Sequence, residues 1–261
     1  EVSTEGEREE RCEYWYDYNG QEIERRRERT GPGRGKGNPG RADFESGKGL
    51  AVLEKREYNE WGELTQVSVD GKATRCRYRP DGLRYLRESA DGKQREHLWD
   101  GQEMVAEANG NGVFERYLRG IGLLAREQDG SRQYYLHNAH GDVVERTDQK
   151  GTALHRYRYD AFGNEENPVS LDPNPWRYCG EYYDAETGTY YLRAREYAPG
   201  LGRFLSEDRI RYVENLLPNG QQIADPQSLN LYTYSQNSPI RLKDRNGNIA
   251  VVDDATYVIL G

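Results

Sequence analysis

An all-β chain built from repeated hairpins is predicted by three observations. First, an aromatic residue or histidine recurs roughly every twenty residues with a glycine four positions later. The pairs are Tyr58 to Gly62, Tyr78 to Gly82, His97 to Gly101, His137 to Gly141 and Tyr159 to Gly163, and Tyr117 to Gly120 keeps the phase one residue short. Second, about halfway between these beats stands another turn signal: Asp70-Gly71, Asp91-Gly92, Asn111-Gly112, Asp129-Gly130 and Lys150-Gly151. Third, the residues between turns alternate. In His155-Arg156-Tyr157-Arg158-Tyr159 the two tyrosines share one sheet face and the arginines do not, and Glu63 to Val69 alternates in the same way. Each repeat therefore reads as two short strands and two tight turns. Type I′ turns are expected, because their central residues need positive φ, which glycine adopts without strain.

Taken in order, residues 1–29 read as strands around an isolated copy of the beat, Tyr16-Asp17-Tyr18-Asn19-Gly20, about two periods upstream of Tyr58. The basic run Arg25-Arg26-Arg27 is interleaved with Glu22, Glu24 and Glu28 and reads as a solvated face. Residues 30–49 contain Gly31-Pro32-Gly33-Arg34-Gly35-Lys36-Gly37-Asn38-Pro39-Gly40, too free a backbone to order by itself, and read as a loop or linker. No Gly-Lys-Ser/Thr ending follows to make that run a phosphate cradle. Residues 50–165 hold the regular hairpins. Residues 166–248 change character, with Asp225-Pro226-Gln227-Ser228 reading as a helix start capped by Ser228. Residues 249–261 are apolar runs broken by Asp253 and Asp254, neither half long enough to cross a bilayer. They read either as the first strand of a following effector or as a tail lying within the preceding unit. Because the chain starts at Glu1 in mid-pattern, it is expected to be a piece of something longer.

Composition narrows the function classes. Only 34% of residues are hydrophobic and 31% are charged, with 21 tyrosines against one methionine; mean hydropathy is −1.08. Such a chain cannot fill a large aliphatic core. It is expected instead to pave a sheet with tyrosine rings whose hydroxyls reach water, shielded by stacked arginines. A net charge of −8 argues against a nucleic-acid partner. Three cysteines, Cys12, Cys76 and Cys179, have no paired spacing for a disulfide framework or a zinc site. His97, His137, His140 and His155 lack any carboxylate–histidine spacing and read as structural or exposed, so no metal or cofactor is expected. No run is apolar enough for a membrane segment. The tyrosine-rich strands also admit a cell-surface glycan-binding reading.

From Trp176 the chain reads WRYCGEYYDAETGTYYLRAREYAPGLGRFLSED, and it resumes as DPQSLNLYTYSQNSPIRLKDRNGN. This resembles the core domain that closes Rhs and YD-repeat proteins, and the hairpins ending in Tyr159-Asp160-Ala161-Phe162-Gly163-Asn164 resemble YD repeats. The resemblance covers roughly Tyr58 to Asn248. The family includes bacterial Rhs and wall-associated toxins, toxin-complex C subunits and teneurins. It implies YD repeats wound into a spiral sheet shell closed by a C-terminal core or plug with little helix. It also implies a C-terminal toxin in cis as partner, immunity or delivery proteins, and a secreted or cell-surface bacterial setting. A single sheet with two wetted faces would suit such a container.

The resemblance implies a second activity, because bacterial relatives cut themselves at the end of the core by an aspartic-protease-like reaction. Two carboxylates sharing a proton are the requirement. Asp208 in Gly202-Arg203-Phe204-Leu205-Ser206-Glu207-Asp208 matches the catalytic aspartate, Arg195 matches the supporting arginine, and Asp244 stands at the closing signature. That signature departs from the family pattern Asp-Pro-x-Gly-Leu, with Arg245 in place of proline and Asn248 in place of leucine. Where the family often has Tyr-Tyr-Asp-Pro, this chain has Glu196-Tyr197-Ala198-Pro199. The bond to be cut would join Asn248 to Ile249; without cleavage, Asp208 and Arg195 would form a structural ion pair.

Overall fold

The computed structural model describes residues 12–28, 50–169, 172–208, 230–248 and 251–252. The linker of residues 30–49, the helix start at 225–228 and Ile249 lie outside the described residues.

Among the described residues, thirteen strands follow one another in a single antiparallel sheet, each paired with its chain neighbours. They are β1 (Cys12–Tyr16), β2 (Glu22–Glu28), β3 (Leu50–Tyr58), β4 (Leu64–Val69), β5 (Lys72–Tyr78), β6 (Arg84–Glu88), β7 (Gln94–Asp100), β8 (Glu103–Asn109), β9 (Gly112–Arg119), β10 (Leu123–Gln128), β11 (Ser131–His137), β12 (Val143–Thr147) and β13 (Ala153–Arg156). β1 and β13 are the two edges, so the described residues form no closed barrel.

Local chemistry explains the turns. The residue after the beat aromatic is often Asp or Asn, and its side chain caps the turn. Asp160 Oδ1 accepts the N–H groups of Phe162 (2.9 Å) and Asn164 (3.0 Å); Asn59 Oδ1 does the same for Trp61 and Glu63, as does Asp17 Oδ1 for Asn19 and Gln21. This is the Asx turn that makes Asp and Asn good turn formers. In these turns only the glycine takes positive φ, as at Gly62 and Gly163. The expected type I′ geometry, with two successive residues at positive φ, is found at Asp70-Gly71 and Asp129-Gly130. Elsewhere one glycine alone takes positive φ, as at Gly92, Gly101 and Gly112.

The beat residue is a strut. Tyr58 Oη donates to the Glu22 carbonyl (3.2 Å), Tyr78 Oη to Leu64 (2.9 Å), and Tyr159 Oη to Val143 (3.1 Å). Trp99 Nε1 donates to Arg84 (2.8 Å), Arg119 Nε to Met104 (2.8 Å), and His137 Nε2 pairs with Leu123 (2.7 Å). Each reaches one repeat back to the start of a strand. Two copies therefore differ from the sequence phase: Trp99 and Arg119, not His97 and Tyr117, fill the strut position. Their turns are shorter, with Asp100 paired to Glu103 and Arg119 to Leu123, which brings the equivalent residue closer to the glycine. The expectation that the hydroxyls reach water is corrected here, because these hydroxyls satisfy backbone carbonyls.

The expectation of two wetted faces is corrected as well. A second sheet, β14 (Tyr182–Asp184), β15 (Thr189–Leu192), β16 (Arg195–Ala198) and β17 (Arg203–Phe204), packs on the wall. Wall and core share one apolar cluster, in which Met104, Tyr117, Leu123, Tyr135 and Val143 meet Tyr157, Trp176 and Tyr182. Trp176 makes edge-to-face contacts with Tyr117 (5.1 Å) and Tyr182 (5.4 Å), pairs that contribute about 0.5–1.5 kcal/mol each beyond area burial. A second cluster, including Tyr178, Tyr190, Tyr197, Phe204 and Tyr234, lies within the core unit. With few aliphatic residues available, aromatic rings fill the interior.

Charge completes the seam. Arg84 is fully buried and forms a fork with Asp184 at 2.6 and 3.1 Å, while Arg87 bonds Glu186. Tyr182 Oη donates to Glu107 of β8 at 2.7 Å, and Arg146 Nη2 donates to Asp172 at 2.9 Å. Finally β18 (Leu242–Lys243) pairs with β19 (Val251–Val252), so the chain after the closing signature folds back beside the strand before it.

Candidate functional site

The β15–β16 hairpin turns tightly through Arg193, at φ 58°, and Leu192 pairs with Arg195. This sends the Arg195 side chain under the Phe204 ring, with Cζ 3.6 Å from the ring centroid. Arg195 Nη2 lies 2.9 Å from Asp208 Oδ2 and 3.7 Å from Asp244 Oδ2. Nη1 donates to the Leu231 carbonyl at 2.9 Å, and Nε donates to the Gly247 carbonyl. All three residues singled out in the sequence thus meet at one guanidinium, and all three are buried.

The two aspartates are held differently. Asp208 is fixed by its own backbone, its N–H bonding Leu231 O at 2.9 Å. Asp244 turns its Oδ1 onto the closing signature, accepting the N–H groups of Gly247 (2.8 Å), Asn248 (3.2 Å) and Asn246 (3.3 Å). Burial raises the Asp244 carboxyl above its ordinary range, opposed by Arg195 and by those backbone N–H groups. Gly247 has φ 73°, and a Cβ there would lie 2.5 Å from Leu192 O and 2.9 Å from Arg195 N, so only glycine lets the signature lie this close to the hairpin. Arg193 grips the same segment, bonding the Arg245 carbonyl and Glu181.

Two clefts flank this centre. One, of about 540 Å³, runs between wall turns and the signature and is lined by Glu63, Asp81, Gln102, Arg193, Arg245 and Asn248. The other, of about 300 Å³, is lined by Gln21, Trp61, Ser206 and Asp208. Asp208 and Asn248 therefore face different openings.

Sequence reasoning missed the clasp of Arg84, Arg87, Asp184 and Glu196. Glu196 Oε1 lies 3.8 Å from Arg84 Nη1 and accepts no fork from it, so burial and the nearby Asp184 raise its carboxyl while Asp184 keeps the cations. Nothing in the local pattern marks a pair separated by a hundred positions. The Asp in Tyr182-Tyr183-Asp184-Ala185-Glu186 was the available signal, since an acid on an alternating strand needs a partner when its face is covered.

Comparison with known proteins places this architecture. The teneurin YD-shell family model matches residues 51–240. The tRNA3(Ser)-specific nuclease WapA of Bacillus spizizenii is 34% identical over 198 residues, which is 74% of this chain and 7% of that protein. The chain belongs to the Rhs/YD-repeat family. The toxin protein Tse5 of Pseudomonas aeruginosa is similar at 26% identity over 236 residues, covering 71% of this chain and 16% of that protein. Among solved structures, a Photorhabdus luminescens Tc holotoxin pore matches with a TM-score of 0.58 at 19% identity, covering 92% of this chain and 13% of that one. That likeness speaks to the fold, an antiparallel YD-repeat wall with its core. The chain spans a small fraction of the length of the relatives it matches. Among the described residues no helix is long and apolar enough to cross a membrane.

Proposed function

We propose that this segment is the wall and plug of an Rhs/YD-repeat shell that encloses a C-terminal toxin effector in a secreted or cell-surface protein. The observation that carries the reading is the seam. A continuous thirteen-stranded wall is locked to the core sheet by the buried Arg84–Asp184 fork and the shared aromatic cluster. Such a seam costs desolvation, and removing one partner leaves an uncompensated buried charge. It suits a plug that must stay seated. Electron cryomicroscopy of the longer protein that contains this segment tests the reading: the expected map shows the wall continuing past β1 and the chain beyond Gly261 inside it. A C-terminal region outside the wall would refute enclosure.

The convergence of Asp208, Arg195 and Asp244 beside Asn248 favours a second reading, self-cleavage of the Asn248–Ile249 bond. In this reading Asp208 activates water, Arg195 orients it, and Asp244 grips the signature through its Oδ1. Against it stands the division of Asp208 and Asn248 between two clefts, and Arg195 touches both carboxylates where a proteolytic pair would share a proton. Intact mass of a chain extended past Gly261, wild type beside Asp208→Asn, decides. Loss of everything beyond Asn248 in the wild type alone supports cleavage, and two uncut chains leave the passive plug. A glycan-binding role gains nothing from the beat tyrosines, whose hydroxyls serve the sheet.

A further inference from the structure

Sequence spacing offered no metal site, because His140 and Asp142 are two residues apart and Cys179 lies in a distant segment. The fold brings them together. The wall turn Asn138–Asp142 carries His140 and Asp142, and the core turn Tyr178–Gly180 carries Cys179. One donor atom from each lies within 4.8 Å of the other two. Asp142 Oδ1 is 2.9 Å from His140 Nδ1, and Cys179 Sγ is 3.8 Å from the same nitrogen.

The geometry rules out a nucleophilic relay. A thiol–imidazole–carboxylate relay needs the sulfur and the carboxylate on opposite ring nitrogens, so that a proton passes through the ring. Here both address Nδ1. Convergence on a single point is instead what a cation requires. Zinc bonds of about 2.0–2.3 Å in a tetrahedron place donors about 3.3–3.8 Å apart; the Cys179–His140 separation already sits at the upper end, and the Asp142–His140 pair would widen from its hydrogen-bonded 2.9 Å.

We propose that His140 Nδ1, Asp142 Oδ1 and Cys179 Sγ form a Zn²⁺ site that staples the last wall hairpin to the core. The surroundings orient the donors. Asn138 Nδ2 donates to Asp142 Oδ2 at 2.7 Å, which leaves Oδ1 facing His140, and the Cys179 N–H donates to Oδ1 at 2.9 Å. Tyr234 Oη stands 3.6 Å from the sulfur. One thiolate and one carboxylate offset a divalent cation, beside the buried Lys243, which also faces Cys179. Cys179 must give up its thiol proton to bind metal. Binding therefore releases the thiol proton to solvent, and the imidazole proton moves to Nε2 as Nδ1 takes the metal.

The test is equilibrium dialysis of the reduced chain against Zn²⁺ followed by metal analysis, with Co²⁺ as the spectroscopic probe. The wild type is expected to hold one Zn²⁺ per chain, and the Co²⁺ form to show a sulfur-to-cobalt charge-transfer band. His140→Ala and Cys179→Ser are expected to lose both. Should Cys179→Ser fail to fold, the Cys12→Ser/Cys76→Ser variant, with Cys179 as its sole thiol, must still show the band. Absence of stoichiometric Zn²⁺ in the wild type, loss of the band in the double variant, or wild-type Zn²⁺ binding by folded Cys179→Ser would overturn the proposal.

Discussion

Arg195 sets one guanidinium against two carboxylates, two carbonyls and an aromatic ring, and the effect of removing it follows from what is left behind. Arg195→Ala abandons Asp208 and Asp244 in a buried site, so a loss of about 3–5 kcal/mol is expected in denaturant unfolding. Asp244→Asn behaves differently, because the amide oxygen still accepts the N–H groups of residues 246–248. Burial already raises that carboxyl, so its contribution to stability is present at acid pH and lost as pH rises through the raised value. A cost below about 1 kcal/mol is expected for this variant. Glu115 gives a clearer pH signature. Burial, then the charge of Glu107, pushes its carboxyl from 4.5 up to about 7, against the pull of Arg126 at 3.2 Å. The folded chain therefore holds this proton more tightly than the unfolded one. Its contribution, on the order of 3 kcal/mol, is full below pH 4.5 and lost as pH rises to about 7. Glu115→Gln should flatten the thermal stability profile across that window; an unchanged slope would show that Glu115 does not carry it.

At the scale of elements, the hairpin is held by a left-handed glycine, an Asx cap and a strut to the previous repeat. Tyr78→Phe removes the donor to Leu64 O and leaves that carbonyl without its partner, so about 1–3 kcal/mol should be lost, measured by thermal or denaturant unfolding. Glycines separate by surroundings. Gly92 has φ 78° with open space around an added Cβ, and Gly163 has φ 87° with the Tyr178 ring 2.6 Å away. Gly92→Ala should cost only the left-handed strain of about 1–2 kcal/mol, whereas Gly163→Ala must also displace a core ring and should cost clearly more. The turns were legible in the sequence because Asp, Asn and Gly act within five residues. The strut partners were not, since Trp99 and Arg119 replace the phased His97 and Tyr117 where loops shorten. Arg195 and Asp208 came from resemblance, and the Arg84–Asp184 fork was marked only by an acid on a short alternating strand, with nothing to name its partner. The His140–Cys179 approach was equally hidden, because two turns from different sheets make it.

Across the described residues, wall strands pair with their chain neighbours, whereas the wall–core seam joins residues a hundred or more positions apart. Local hairpins can form before the seam closes, so the seam decides whether the core seats as a plug. Among the described residues β1 and β13 are the outer strands of the wall sheet, and outer strands are where a sheet can take on further strands. The measurement that tests enclosure most directly is limited proteolysis of the longer protein containing this segment, with a protease site placed just after Gly261. The site is expected to resist cleavage under native conditions and to be cut once denaturant opens the wall. Native cleavage as fast as that of a free peptide would contradict it.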